Sequence, residues 1–109
     1  MILVAIKPLS VNDAWKGRRY KTKEYKAYEK ELLYRLPPKL DVPEGKLKIE
    51  LEFGFSSKGS DGENPVKCFI DVLQTKYGFN DNRIYRYEIN KEIVKKGFEY
   101  IKFRISSFE

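Results

Sequence analysis

Hydrophobic positions recur along this chain with two different periods, and the switches between them divide it into elements. From Leu47 to Phe55, the residues Leu47, Ile49, Leu51, Phe53 and Phe55 alternate with Lys48, Glu50, Glu52 and Gly54. That is the period of a strand with one buried face. Glu50 and Glu52 fall on its other face, as solvated or cross-strand groups. From Val66 the period lengthens: Val66, Phe69, Ile70 and Leu73 stand three and four apart, an apolar helical stripe. Asn64 is the expected N-cap of that helix and Pro65 its first residue, where a missing N–H costs nothing. Tyr77-Gly78 ends it. A second stripe, Tyr25, Tyr28, Leu32 and Leu36, predicts a helix over 23–36, capped by Thr22 and stopped by Pro37-Pro38.

The remaining segments are shorter. Ile2 to Ile6 is a continuous apolar run closed by Lys7-Pro8 and reads as a buried strand. Leu9 to Tyr20 has little periodicity and reads as a loop, in which Ser10 and Asn12 are placed to bind backbone groups. Two last strands are expected over 83–89 and 98–105, and the polar connector NKEIVKKG between them suggests an antiparallel, hairpin-like pair. The order strand, helix, strand, helix, strand, strand, without repeat or linker, predicts one α/β domain over 1–109. Its mixed four-stranded sheet would pack against two helices.

Composition agrees with a single globular domain of modest core: 109 residues, 41% hydrophobic and 15% aromatic. Net charge is +6, from 22 basic against 16 acidic residues. Such a surplus gathers phosphates, and it is equally ordinary for solubility. Its densest run is Lys16, Arg18, Arg19, Lys21 and Lys23, interleaved with Trp15 and Tyr20. That loop suits phosphate contact and base stacking, or plain solvation. Lys58 offers a further phosphate contact.

Absences narrow the chemistry. There is no histidine and one cysteine, Cys68, so zinc fingers, histidine-containing triads and an intrachain disulfide are excluded. Cys68 lies within the second predicted helix and reads as a packing thiol. The opening MILVAI is too short to span a membrane and lacks a basic leader or cleavage site, so a cytoplasmic location is expected.

Charge with chemical potential concentrates between Asp61 and Asp81. Asp61 and Glu63 alternate in an extended approach and so share a side. Lys67 and Asp71 stand one helical turn apart, close enough to meet, and Asp81 follows the glycine turn at the mouth of the next strand. If that strand lies beside the one leading to Asp61, three carboxylates converge at one sheet edge. Such a cluster is hard to ionise fully without a cation. Oxygen ligands suit Mg²⁺ or Mn²⁺, and metal-bound water is a nucleophile that needs no histidine. By spacing alone the same residues also read as loop acids, a surface ion pair and a turn aspartate.

The block DGENPVKCFIDVLQTKYGFNDNRI resembles the signature of the RusA family of Holliday junction resolvases, where a DxDN motif runs into a helix carrying Lys and Asp, then a turn with a further Asp. PLSVNDAW is similar to that family's opening, and with the last strands the likeness covers nearly the whole chain. The resemblance implies a RusA-like fold and a Mg²⁺-dependent (Mn²⁺ as alternative) endonuclease that nicks four-way DNA junctions symmetrically in recombination and repair, acting as a homodimer, of a type often encoded by phages. It further implies that Asp61, Glu63 and Asp81 hold metal, that Lys67 stabilises charge at the cut phosphate, and that Asn64 and Asp71 support them. Lys16, Arg18, Arg19, Lys21 and Lys58 would meet DNA. Two departures stand out: Glu63 replaces the usual aspartate, and Asn80 stands where an adjacent aspartate is common. Two other readings remain open: a branched-DNA-binding module with weakened catalysis, and a protein-interaction domain whose acids are only surface charge.

Overall fold

The alternating segment becomes the middle of the molecule. In the computed structural model, which describes residues 1–17 and 20–109, Leu47–Phe55 forms β4, with Leu47, Ile49, Leu51 and Phe53 fully buried. Against one side of it runs β6 (Tyr100–Ser107), antiparallel, with Leu51 opposite Phe103 and Phe53 opposite Ile101. Against the other side runs β5 (Ile84–Ile93), parallel, with Ile49 opposite Tyr87 and Leu51 opposite Ile89. The short β1 (Ile2–Val4) pairs antiparallel with β6 at the far edge, which gives the order β1-β6-β4-β5.

That order corrects the expected hairpin. The last two strands run in opposite directions but do not pair, because β4 lies between them. β5 also continues through Asn90–Ile93, residues that read as connector in the sequence; the parallel ladder carries it to Ile93 opposite Phe55, and Val94 then donates to Phe55 O at 2.7 Å. β1 is a half-buried edge rather than a buried strand, since Val4 faces the core while Leu3 is exposed.

The helical periods also hold, with changes at their ends. The helix α2 (Lys23–Arg35) buries Tyr25, Tyr28 and Leu32 and is capped by Thr22, whose Oγ1 accepts the Tyr25 N–H at 3.1 Å. Before it come a short helix α1 (Val11–Ala14) and two short strands, β2 (Trp15–Lys16) and β3 (Tyr20–Lys21), in a region expected to be loop. Among the described residues there are therefore three α-helices rather than two. Ser10 does fix this segment: its Oγ accepts the Asn12 N–H at 3.2 Å. Thr22 Oγ1 also donates to Asp13 O at 2.7 Å and so ties α1 to α2.

The main connection is α3 (Val66–Tyr77), which joins β4 to β5 as a helix crossover must between parallel strands. Cys68, Phe69, Val72 and Leu73 are buried, with the Phe69 and Phe103 rings edge-on at 5.3 Å. Gly78 closes the helix in the left-handed conformation at φ 72°, donating to Gln74 O. The start differs from expectation. Pro65 occupies the N-cap and no side chain caps the helix; overlapping turns feed the chain in instead. The Asp61 carboxylate accepts the Glu63 N–H at 3.0 Å and Val66 N–H donates to Glu63 O at 3.2 Å. Asp61, rather than Asn64, organises the entry.

The buried core lies on one side of the sheet. The other carries Glu50 and Glu52, which face Arg104 at 3.7 Å and Lys102 at 3.5 Å across the strands, as cross-strand partners should. Among the described residues no helix is long and apolar enough to cross a membrane.

Candidate active site

Two clefts flank the turn at 61–65. The smaller, of about 340 Å³, lies between α3 and β5 and is lined by Glu63, Val66, Lys67, Ile70, Asp81, Tyr87 and Ile89. The larger, of about 960 Å³, opens toward α1 and α2 and is lined in part by Ser10, Asn12, Asp61 and Asn64. The fold thus brings Glu63, Lys67 and Asp81 to one cleft and sends Asp61 to its neighbour.

Strand direction explains the separation. β5 runs parallel to β4, so Ile84 stands level with Leu47 and Ile93 with Phe55. Asp81 enters at the beginning of this ladder, whose two ends lie roughly 26 Å apart along the strands, and Asp61 follows its far end. The chain after β4 folds partway back: Gly62 packs on Ile89 and Lys91, and Lys91 Nζ donates to Ser60 O at 2.8 Å. This return carries Glu63 toward Tyr87 and Ile89. The expected meeting of three carboxylates is not formed, and among the described residues no three acidic or cysteine groups are gathered for an ion.

A polar network lines the open side of α3. Lys67 Nζ donates to Asp71 Oδ1 at 3.3 Å, the one-turn pair anticipated from the sequence. Gln74 Nε2 donates to the same Asp71 oxygen at 3.3 Å, and Gln74 Oε1 accepts the Asp81 N–H at 2.8 Å. Asp81 itself begins a 3-10 turn (Asp81–Arg83), started by Asn80 Oδ1 accepting the Asn82 N–H. A continuous chain of contacts therefore links the lysine to the backbone of the last acid. Gln74 was not anticipated, although Lys67, Asp71 and Gln74 stand four and three apart on one polar stripe. Tyr87 is the other unforeseen member. Burial raises its hydroxyl above the usual value, Asp81 adds to the rise, and Lys67 opposes it, which places both charges near the ring.

The donor set limits what can bind. Glu63 and Asp81 offer two carboxylates to one cleft, with Asp61 on the adjoining one. This is no all-protein cage. It fits Mg²⁺, which takes one or two carboxylates and completes its shell with water and phosphate oxygens.

The basic residues divide as well. Lys16 and Lys58 are exposed, while Lys21 is bound to Glu29 at 2.8 Å and lies 5.1 Å from the Tyr25 ring centre. Arg18 and Arg19 lie outside the described residues. Trp15 packs edge-on against Tyr25 at 5.4 Å and is half-buried, so Tyr20, 72% exposed, is the aromatic of that run left free to stack.

No protein-family model matches the chain, and no curated protein matches its sequence.

Proposed function

We propose that this chain is a RusA-like endonuclease that resolves four-way DNA junctions, acting as a cytoplasmic homodimer in recombination or repair. The observation that carries the reading is the single cleft shared by Glu63, Lys67 and Asp81, with Asp71 and Gln74 connecting the lysine to the last acid. They are three of the four residues the RusA resemblance assigns to chemistry, Asp61 lining the adjoining cleft instead.

In this reading Glu63 and Asp81 would hold Mg²⁺, with Asp61 on the adjoining cleft. When bound, the ion supplies charge neutralisation at phosphate and an acidified water. The protein's own part is orientation. Asp71 restrains the Lys67 ammonium so that it meets the negative charge that builds on the cut phosphate. Gln74 fixes the Asp81 backbone, so the carboxylate projects from a held turn. Val66, Ile70 and Ile89 give the cleft an apolar floor, where charge interactions weaken less than in open water. Lys16, Lys58 and the arginines 18 and 19 draw the DNA backbone, which makes binding steeply salt-dependent.

The test is incubation of a mobile four-way junction with Mg²⁺ or Mn²⁺ beside a linear duplex. Paired symmetric nicks in the junction alone, abolished in Asp81→Asn, are the expected result. Nicking of neither substrate overturns it. A second reading, a branched-DNA-binding module of the same fold, is favoured by one observation: the three acids are not gathered. Tight junction binding without nicks in either metal selects it.

A further inference from the structure

The two edges of the sheet are built differently. β1 has three residues, too few to template another strand, whereas β5 has ten and contains no proline. Among the described residues β5 pairs only with β4, so the backbone groups along its outer side have no strand to meet. Its side chains are exposed along nearly its whole length, including Tyr87, Ile89 and Ile93 at 45%, 37% and 44%. A long, unpaired edge is a pairing surface unless something covers it.

We propose that β5 pairs antiparallel with β5 of a second copy of this chain about a two-fold axis through Ile89, making one continuous sheet. The charges select the occupant and the register. With the axis at Ile89, Arg86 of each copy falls opposite Glu92 of the other, Glu88 opposite Asn90, and Tyr87 opposite Lys91. Opposite charges meet twice by symmetry, and Ile89 meets its own copy on the axis. Moving the axis one residue either way sets Glu88 against its own copy or against Glu92, and like charges directly opposite oppose pairing. From the register with β4, Tyr87, Ile89, Lys91 and Ile93 all face the helix side, and Arg86, Glu88, Asn90 and Glu92 the open side. The two-fold keeps each set on its own side.

This gives the proposed dimer its surface. Tyr87 and Ile89 also line the cleft that holds Glu63, Lys67 and Asp81, so the two clefts lie beside the axis on one side of the joined sheet. Only that last consequence rests on the nuclease reading; the pairing stands on the edge itself.

Sedimentation equilibrium of the full chain, without DNA or metal, tests it independently of any nicking. The wild type is expected to reach twice its mass of 12.9 kDa in the micromolar range. Glu92→Arg alone, or Arg86→Glu alone, weakens dimerisation about ten-fold, and the double swap restores it. Both positions are exposed, and circular dichroism checks that each variant is folded. A monomeric wild type, a Glu92→Arg variant that dimerises as tightly as wild type, or a double swap that stays as weak as the singles overturns the pairing.

Discussion

The helix α3 has two sides with opposite duties. On one, Cys68, Phe69, Val72 and Leu73 are buried, Phe69 against the Phe103 ring of β6. On the other, Lys67, Asp71 and Gln74 form a polar line that reaches Asp81. The buried side is held by many shape-dependent contacts, so its residues bear on stability. The polar side has few contacts and substantial exposure, with the Lys67 side chain 65% exposed, so its residues contribute little to the fold. A helix can thus hold a lysine over a cleft because its other side is anchored. The comparison predicts that stability and function separate along a single turn.

The largest expected effect is on the buried side. Phe69→Ala removes a ring that contacts Phe103 and leaves a void, at a cost of about 3–5 kcal/mol by urea denaturation. A loss below about 1 kcal/mol would mean that α3 is not anchored as described.

Alkaline pH probes the same side. Burial, assisted by Asp71, pushes the Cys68 thiol from 9.0 up to about 11. Burial likewise raises Tyr25 and Tyr28 above their usual 10.0. The unfolded chain therefore loses these protons first. Stability should hold constant up to about pH 9 and fall as pH rises through 11, as the unfolded state gains the advantage of ionisation. Urea midpoints measured across that range check it; a stability that rises there contradicts it.

A smaller effect belongs to the polar side. Gln74→Ala frees the Asp81 N–H and one Asp71 contact, at about 1 kcal/mol in stability. If the network positions Asp81, junction nicking falls further than that loss explains, measured at a temperature where the variant is fully folded. Gln74→Glu should restore the acceptor for the Asp81 N–H while placing a second carboxylate beside Asp71, and so recover only part of the activity.

Legibility in the sequence follows the same division. The buried sides of α2, α3 and β4 were readable because apolar period is imposed by the core, residue after residue. The separation of β5 from β6 was not, because chain proximity says nothing about a strand that inserts between them, and NKEIVKKG carries no period strong enough to extend β5. The helix α1 is only four residues long, about one turn, too short to show a helical repeat. At the site, the Lys67–Asp71 pair was readable from spacing, while the partition of Asp61 from Asp81 depended on strand direction, which no local pattern encodes. Gln74 carries no signal in the sequence beyond its spacing from Asp71, because its other partner, the Asp81 backbone, is brought to it by the turn after the helix.

Lys67→Ala gives the most direct test of the account. The expected result is a thermal midpoint and urea midpoint unchanged within about 0.5 kcal/mol, together with at least about a 100-fold loss in junction nicking under Mg²⁺. Nicking at the wild-type rate in a folded variant would contradict the claim that the polar side of α3 is the working side of this protein.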